Sequence, residues 1–211
     1  MLGNSTADWR ATRRAAATSD IVAAAWELAR EHGLSGLSLR DLARRLGMAA
    51  PSLYSYVESK NALYDAMFAD GYRAWLALEP PADGPDLRTV LRSGAEQFVE
   101  FSTQDPVRFM LLFQRTIPGF EPSPESWALA QQVYDRSFEP LRRWADLTQH
   151  DLDLVSACIT GLISQQVAND PGGSRWVDLL DDAVDLLLPR IQSKATKPSP
   201  ARGRTSRKEK P

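Results

Sequence analysis

Apolar positions recur at helical spacing through most of the chain. From Asp20, residues Ile21, Ala24, Ala25, Leu28 and Ala29 share one face, and Gly33 stops the pattern. Leu39, Leu42, Ala43 and Leu46 mark a short helix with Ser38 as N-cap and Asp41 three residues on, a capping-box-like start. A second short helix follows Pro51, a residue suited to a first helical turn. Ser59 caps a longer helix carrying Leu63, Ala66, Met67 and Trp75.

After a break at residues 79–85, helices are predicted over 85–103 and 106–114, the second opened by Asp105 as cap and Pro106 in its first turn. A proline-bearing loop over 117–124 precedes a helix reaching about residue 145, with Pro140 as an expected kink. Thr148 and Asp151 resemble a capping box for a helix ending near Asn169. Ser174 is expected to cap a last helix running to Ile191. Alternating β-type runs are scarce, so the prediction is an all-α fold of about nine helices.

Charge divides the chain unevenly. Residues 1–68 carry eight basic and seven acidic side chains, residues 69–189 nine and nineteen, and residues 190–211 eight and one. An acidic middle repels DNA, so any contact with nucleic acid must come from the N-terminal part, with the tail as a second candidate. The expected division is a flexible arm over 1–18, a DNA-binding domain over 19–68, a second helical domain over 69–191 and a disordered basic tail over 192–211. Arg10, Arg13 and Arg14 make the arm basic, which suits either a frayed terminus or an arm reaching a phosphate or minor groove. The apolar runs are too short to span a bilayer, and the single cysteine, Cys158, forms no internal disulfide. A cytoplasmic protein with no membrane partner is expected.

The chemistry concentrates between Ser38 and Lys60. A helix-turn-helix needs two short helices meeting steeply, a small residue at their closest approach and a permissive turn. Ala43 is the small residue and Gly47 the turn, while Leu42, Leu46, Met48, Leu53 and Val57 form an apolar underside. The second helix presents Ala49, Ala50, Ser52, Tyr54, Ser55 and Tyr56, none of them acidic, as suits a surface entering a major groove.

The run from Leu37 to Leu63, LSLRDLARRLGMAAPSLYSYVESKNAL, resembles the signature of the TetR (tetracycline repressor) family of bacterial regulators, and the likeness extends over about residues 21–67. Pro51, the Leu53-Tyr54 pair, Val57 and Lys60 resemble the tetracycline repressors themselves. The resemblance implies that Tyr54 and Lys60 bind backbone phosphate, that Tyr56 lies near the backbone or a base, and that Arg40 reads guanine. Ser38 is placed to donate to phosphate. Ala49, Ala50 and Pro51 offer apolar contacts only, and Ala50 departs from the longer polar residue of the tetracycline repressors, so a different operator is expected.

The resemblance further implies a ligand-responsive repressor acting as a homodimer on a pseudo-palindromic double-stranded operator, with a C-terminal ligand-binding and dimerisation domain. The dimer would use two long helices, here carrying the stripes Leu154, Ala157, Cys158, Gly161, Leu162, Gln165 and Val177, Leu180, Val184, Leu187, Leu188. Either stripe suits a monomer core equally well. Aromatics concentrate over 98–144, and Phe101, Met110, Phe113, Trp127, Gln131, Tyr134 and Gln166 are candidates to line a site for a small-molecule effector. No cofactor, metal spacing, nucleophile elbow or phosphate loop is legible, so no enzyme is expected. The alternative is an all-helical interaction protein without specific DNA binding.

Overall fold

A computed structural model describes residues 5–81 and 83–196. Nine α-helices are present among them: α1 Ser5–Gly36, α2 Leu39–Arg45, α3 Ala50–Tyr54, α4 Lys60–Leu76, α5 Leu87–Gln104, α6 Pro106–Phe113, α7 Pro124–Arg142, α8 Gln149–Asn169 and α9 Leu180–Gln192. The only pairing of strand type among the described residues is an isolated bridge between Ala145 and Ala195.

Two compact units form. The first comprises the chain up to Glu79 together with Phe101–Tyr134. Its core joins Ile21, Ala25 and Leu28 of α1 to Leu42 and Ala43 of α2, Leu53 of α3, and Leu63 and Met67 of α4. Leu111 of α6 belongs to the same cluster. Residues 101–134, expected in the C-terminal domain, therefore pack with the helix-turn-helix. Polar contacts fix that packing: Arg30 Nη2 donates to Asp105 at 2.6 Å, and Tyr72 Oη donates to the Leu112 carbonyl at 3.2 Å. Burial pushes the Tyr72 phenol above its ordinary range. Asp105 also caps α6, accepting from the Arg108 N–H at 3.1 Å, the role expected of it.

α1 departs from expectation at its start and keeps to it at Gly33. It begins at Ser5, so most of the segment read as a loose arm is helical; its alanines and arginines are strong helix formers. At the other end Gly33 breaks the helix with φ 74°, a left-handed value open to glycine, and a last turn continues to Gly36.

The second unit comprises, among the described residues, Pro80–Glu100 and the chain from Asp135 to Thr196. Leu152, Val155, Ile159 and Ile163 of α8 are buried, as are Leu180, Ala183, Val184, Leu187 and Ile191 of α9. Arg88 and Arg92 of α5 pair with Asp181, and Arg88 also with Asp185. Pro140 is accommodated within α7, which runs on to Arg142. The last helix starts later than expected, at Leu180, after a short 3₁₀ turn over Val177–Leu179. The buried Gln166 explains this: its Oε1 accepts from the N–H groups of Trp176 and Val177, at 2.9 and 3.3 Å, and turns the chain there.

The basic tail was expected to begin at residue 192, but the first residues past α9 are ordered. Asp146 N–H donates to the Lys194 carbonyl at 3.0 Å and Thr196 N–H to the Trp144 carbonyl at 2.9 Å. Backbone partners hold this stretch despite its polar composition. The expected tail from residue 197 onward lies outside the described residues.

Candidate nucleic-acid interface

The two short helices and their turn follow from local chemistry. Ser38 Oγ accepts from the Asp41 N–H at 3.4 Å and starts α2. Gly47 takes φ 64° and lets the chain leave α2 for α3 within a few residues. Leu42, Leu53 and Val57 are buried beneath, with Leu46 and Met48 half-buried. Burying each such leucine contributes about 1.5–3 kcal/mol, enough to hold helices too short to persist alone.

Above that underside the polar face is open. Arg40, Ala49, Ala50, Pro51, Ser52 and Tyr54 are all exposed, with Tyr54 at 51%. Ser38 and Tyr56 are half-buried, and Tyr56 packs against the core of the first unit. Lys60 opens α4, its Nζ donating to the Ser35 carbonyl at 2.9 Å and lying 5.5 Å from the Tyr64 ring centre. Six of these nine expected contact residues are thus exposed and three half-buried, and α3 itself carries no carboxylate.

Neighbouring arginines divide by their partners. Arg45 is held on α1 by Glu31 at 2.7 Å and Glu27 at 3.4 Å. The hydrogen bond from Arg45 in turn keeps the Glu31 carboxyl below its ordinary range. Arg44 pairs with Asp41 at 2.7 Å. Arg14, from the segment before the apolar pattern of α1, reaches the end of α3, a contact that sequence spacing gave no sign of.

A cavity of about 260 Å³ lies in the first unit, lined by Phe68, Leu111 to Ile117, Phe120, Pro122 and Trp127. Of the seven residues expected to meet an effector, Phe113 and Trp127 are on its wall. Phe101 is buried against Trp75, ring centres 4.5 Å apart, with the Arg108 guanidinium 3.7 Å from its ring centre. Burial there lowers the Arg108 pKa. Met110 is half-buried against the core of the first unit, Gln131 is exposed and Tyr134 half-buried on α7. Gln166 sits in the second unit, where its amide turns the chain between α8 and α9 and also donates to the Asp170 carbonyl. The loop under the cavity is tied to α4: Asp65 accepts from the Ser123 N–H at 2.8 Å, and Asn61 Nδ2 donates to the Gly119 carbonyl at 3.5 Å.

In the second unit, the stripe on α8 is open. Leu154, Ala157, Gly161 and Gln165 are exposed, and Cys158 and Leu162 half-buried. The stripe on α9 has the opposite fate, with Leu180, Val184 and Leu187 buried. Leu186, outside the expected stripe, is instead the exposed apolar residue of α9, at 76%. Among the described residues no helix is long and apolar enough to cross a membrane, and no group of three or more His, Cys, Asp or Glu is arranged to hold a metal ion.

Comparison with known proteins gives a consistent result. Residues 21–67 match the model described as bacterial regulatory proteins, tetR family. The tetracycline repressor protein class C of Escherichia coli is 35% identical over 175 residues, covering 82% of this chain and 77% of that protein. An HTH-type transcriptional regulator of Mycobacterium tuberculosis is 30% identical over 144 residues, 63% of this chain and 60% of its own length. The chain thus spans less than two thirds of that relative. A TetR variant from Acinetobacter baumannii in complex with minocycline shares the fold, with a TM-score of 0.57, 23% identity, and coverage of 82% of this chain and 94% of that one.

Proposed function

The chain belongs to the tetR family of bacterial regulatory proteins, and from that premise we propose that it is a sequence-specific transcriptional regulator, a repressor released from its operator by a small molecule and working as a homodimer. The observation that carries this reading is the helix-turn-helix itself, with Tyr54 and Ser52 exposed on an α3 free of carboxylates and Arg40 exposed on α2. Two such faces in a dimer would enter successive major grooves, with half-sites one helical turn (~34–36 Å) or more apart.

Roles follow from chemistry. Lys60 and Tyr54 would bind phosphate, with Ser38 beside them at the start of α2. Arg40 carries a two-pronged donor fitted to guanine, while Ala49, Ala50 and Pro51 would meet thymine methyls, with Ser52 as a short polar contact. Tyr56, half-buried, would touch the backbone from the far end of α3.

The dimer reading is supported by the open apolar stripe of α8 and by Leu186 of α9, faces that in an isolated chain leave apolar area in water. Effector response is supported by the aromatic cavity, whose loop is bonded to Asn61 and Asp65 in the first turns of α4, directly behind Lys60. A ligand that shifts this loop would shift α4 and the reading head with it, provided it prefers the DNA-incompetent state. Arg115, the one charged residue on the wall, is largely exposed and paired with Glu121 at 3.7 Å, so a neutral aromatic fits best. 1-Naphthol is therefore expected to bind the purified protein and to weaken operator binding roughly tenfold. Calorimetry and a gel shift in its presence check this.

Footprinting of the DNA upstream of the protein's own gene tests the reading as a whole. Protection of a pseudo-palindrome is expected; uniform, salt-labile binding everywhere would instead favour an interaction protein without sequence reading. On that fragment Lys60→Ala should weaken binding to all sequences and reduce the salt slope by about 1. Arg40→Ala should also relax discrimination at one base position, by ~1–3 kcal/mol. Two mutants that bind like wild type would move the reading surface elsewhere.

A further inference from the structure

The reading helix α3 is five residues long, far below the ~12–15 residues at which an isolated helix becomes marginally stable in water. Its N-cap, Ala49, has no side chain that caps it. Its C-terminal end is held from outside. Arg14 Nη2 donates to the Ser55 carbonyl at 2.9 Å, and the guanidinium carbon lies 5.4 Å from the centre of the Tyr56 ring. One planar group thus closes the end of the helix through an N–H and meets the next aromatic side chain with its charge.

We propose that Arg14 is a positioning residue of the DNA-reading device: it fixes the C-terminal end of α3 and the Tyr56 ring, so that the stretch of α1 before Ile21 is part of the reading head. Arg14 lies outside residues 21–67, which match the family model, so this contact is not supplied by the matched segment. The geometry dictates how the role divides. A cation over Tyr56 orders the ring before DNA arrives, and the bond to the Ser55 carbonyl satisfies a helix end that otherwise turns to water. Both contacts are made in the free protein, so the arginine acts by lowering the cost of ordering α3 when it enters the groove. Lysine has neither the planar face nor the second prong and fills the position poorly.

The role rests on α3 being the element that reads DNA, and the test separates the two. Full-length wild type, Arg14→Gln and Arg14→Lys are compared on the footprinted operator at several salt concentrations. Amide exchange is measured in parallel on the DNA-free proteins. Arg14→Gln is expected to weaken operator binding roughly tenfold, with the slope of log affinity against log salt unchanged. Arg14→Lys should bind as weakly. Arg14→Gln combined with Tyr56→Leu should lose less than the two changes summed, because the second removes what the first had positioned. In the free protein the amides of Ser55, Tyr56 and Val57 should exchange faster in Arg14→Gln while the melting temperature stays put, since Arg14 is exposed.

A salt slope reduced by about 1, with binding restored by lysine, would make Arg14 a direct phosphate contact and overturn the proposal. Unchanged amide exchange would overturn it as well. Should the wild type protect no DNA, the function reading fails, while the exchange experiment still decides whether Arg14 holds the end of α3.

Discussion

In the proposed dimer, Gly161→Arg is expected to leave a monomer and to reduce operator affinity by more than ~100-fold, because a single reading head keeps only one half-site. The position is chosen for what surrounds it. Gly161 lies on the exposed stripe of α8, and a Cβ added there meets nothing within 4 Å. An arginine therefore has free space in the isolated chain, and replacing a helical glycine favours the helix by about 0.5–1 kcal/mol. Any loss comes from what approaches this face from outside. A second α8 packed at the usual interaxial distance of ~8–10 Å leaves no room for a guanidinium. Sedimentation or light scattering, with circular dichroism as the control on folding, measures the outcome. A variant that stays dimeric and binds operator normally would place the interface away from α8.

The second large effect concerns stability. Asp151, at the start of α8, is 1% exposed and carries four polar contacts. The Thr148 hydroxyl donates to it at 2.6 Å and the Thr148 N–H at 3.0 Å; Arg190 lies at 2.8 Å and Lys194 at 3.2 Å. The Thr148 hydroxyl, then its backbone N–H, and the two cations hold the carboxyl well below the usual carboxylate range, against the opposing effect of burial. The carboxylate joins the beginning of α8 to the end of α9 and to the residues past it. Asp151→Asn leaves the geometry but removes the charge, so two cations lose their partner; a fall in melting temperature on the order of 10 °C is expected.

The pH dependence of that contribution has a definite sign. A carboxyl whose pKa is depressed by folding stabilises the folded state above its unfolded value of about 4, and that stabilisation fades as pH falls through and below it. Wild type should therefore lose its advantage over Asp151→Asn progressively below about pH 4, while the gap stays constant from pH 5 to 8. Melting curves of both proteins across this range check the prediction. A constant gap down to pH 2 would assign the effect of the substitution to something other than the charge.

Much of the helical plan was legible because the signals that start and stop helices are local. Ser38, Ser59 and Asp105 cap as their hydroxyl or carboxylate chemistry predicts, and Thr148 with Asp151 forms the expected box. The helix-turn-helix segment was legible for a second reason, a dense pattern of residue types from Leu37 to Leu63. Features that depend on distant partners were not. Arg14 meets a carbonyl forty-one positions away, and Arg45, on the same helix as Arg40, turns to α1 rather than outward. Gln166 is a candidate for any polar pocket by sequence, yet its amide serves a chain turn ten residues on.

What the amino-acid sequence determined by itself is the all-helical character, the starts of the helices from α2 to α8, and the helix-turn-helix with its turn glycine. Each rests on interactions within a few residues, where periodicity, caps and backbone freedom speak directly. The tertiary structure alone decided which apolar stripe is core and which is surface. Both stripes recur at helical spacing and suit a core or a surface alike, but α9 turns Leu180, Val184 and Leu187 inward while α8 leaves Leu154 and Gly161 in the open. Burial is a property of neighbours, and neighbours far apart along the chain are set by packing rather than by spacing.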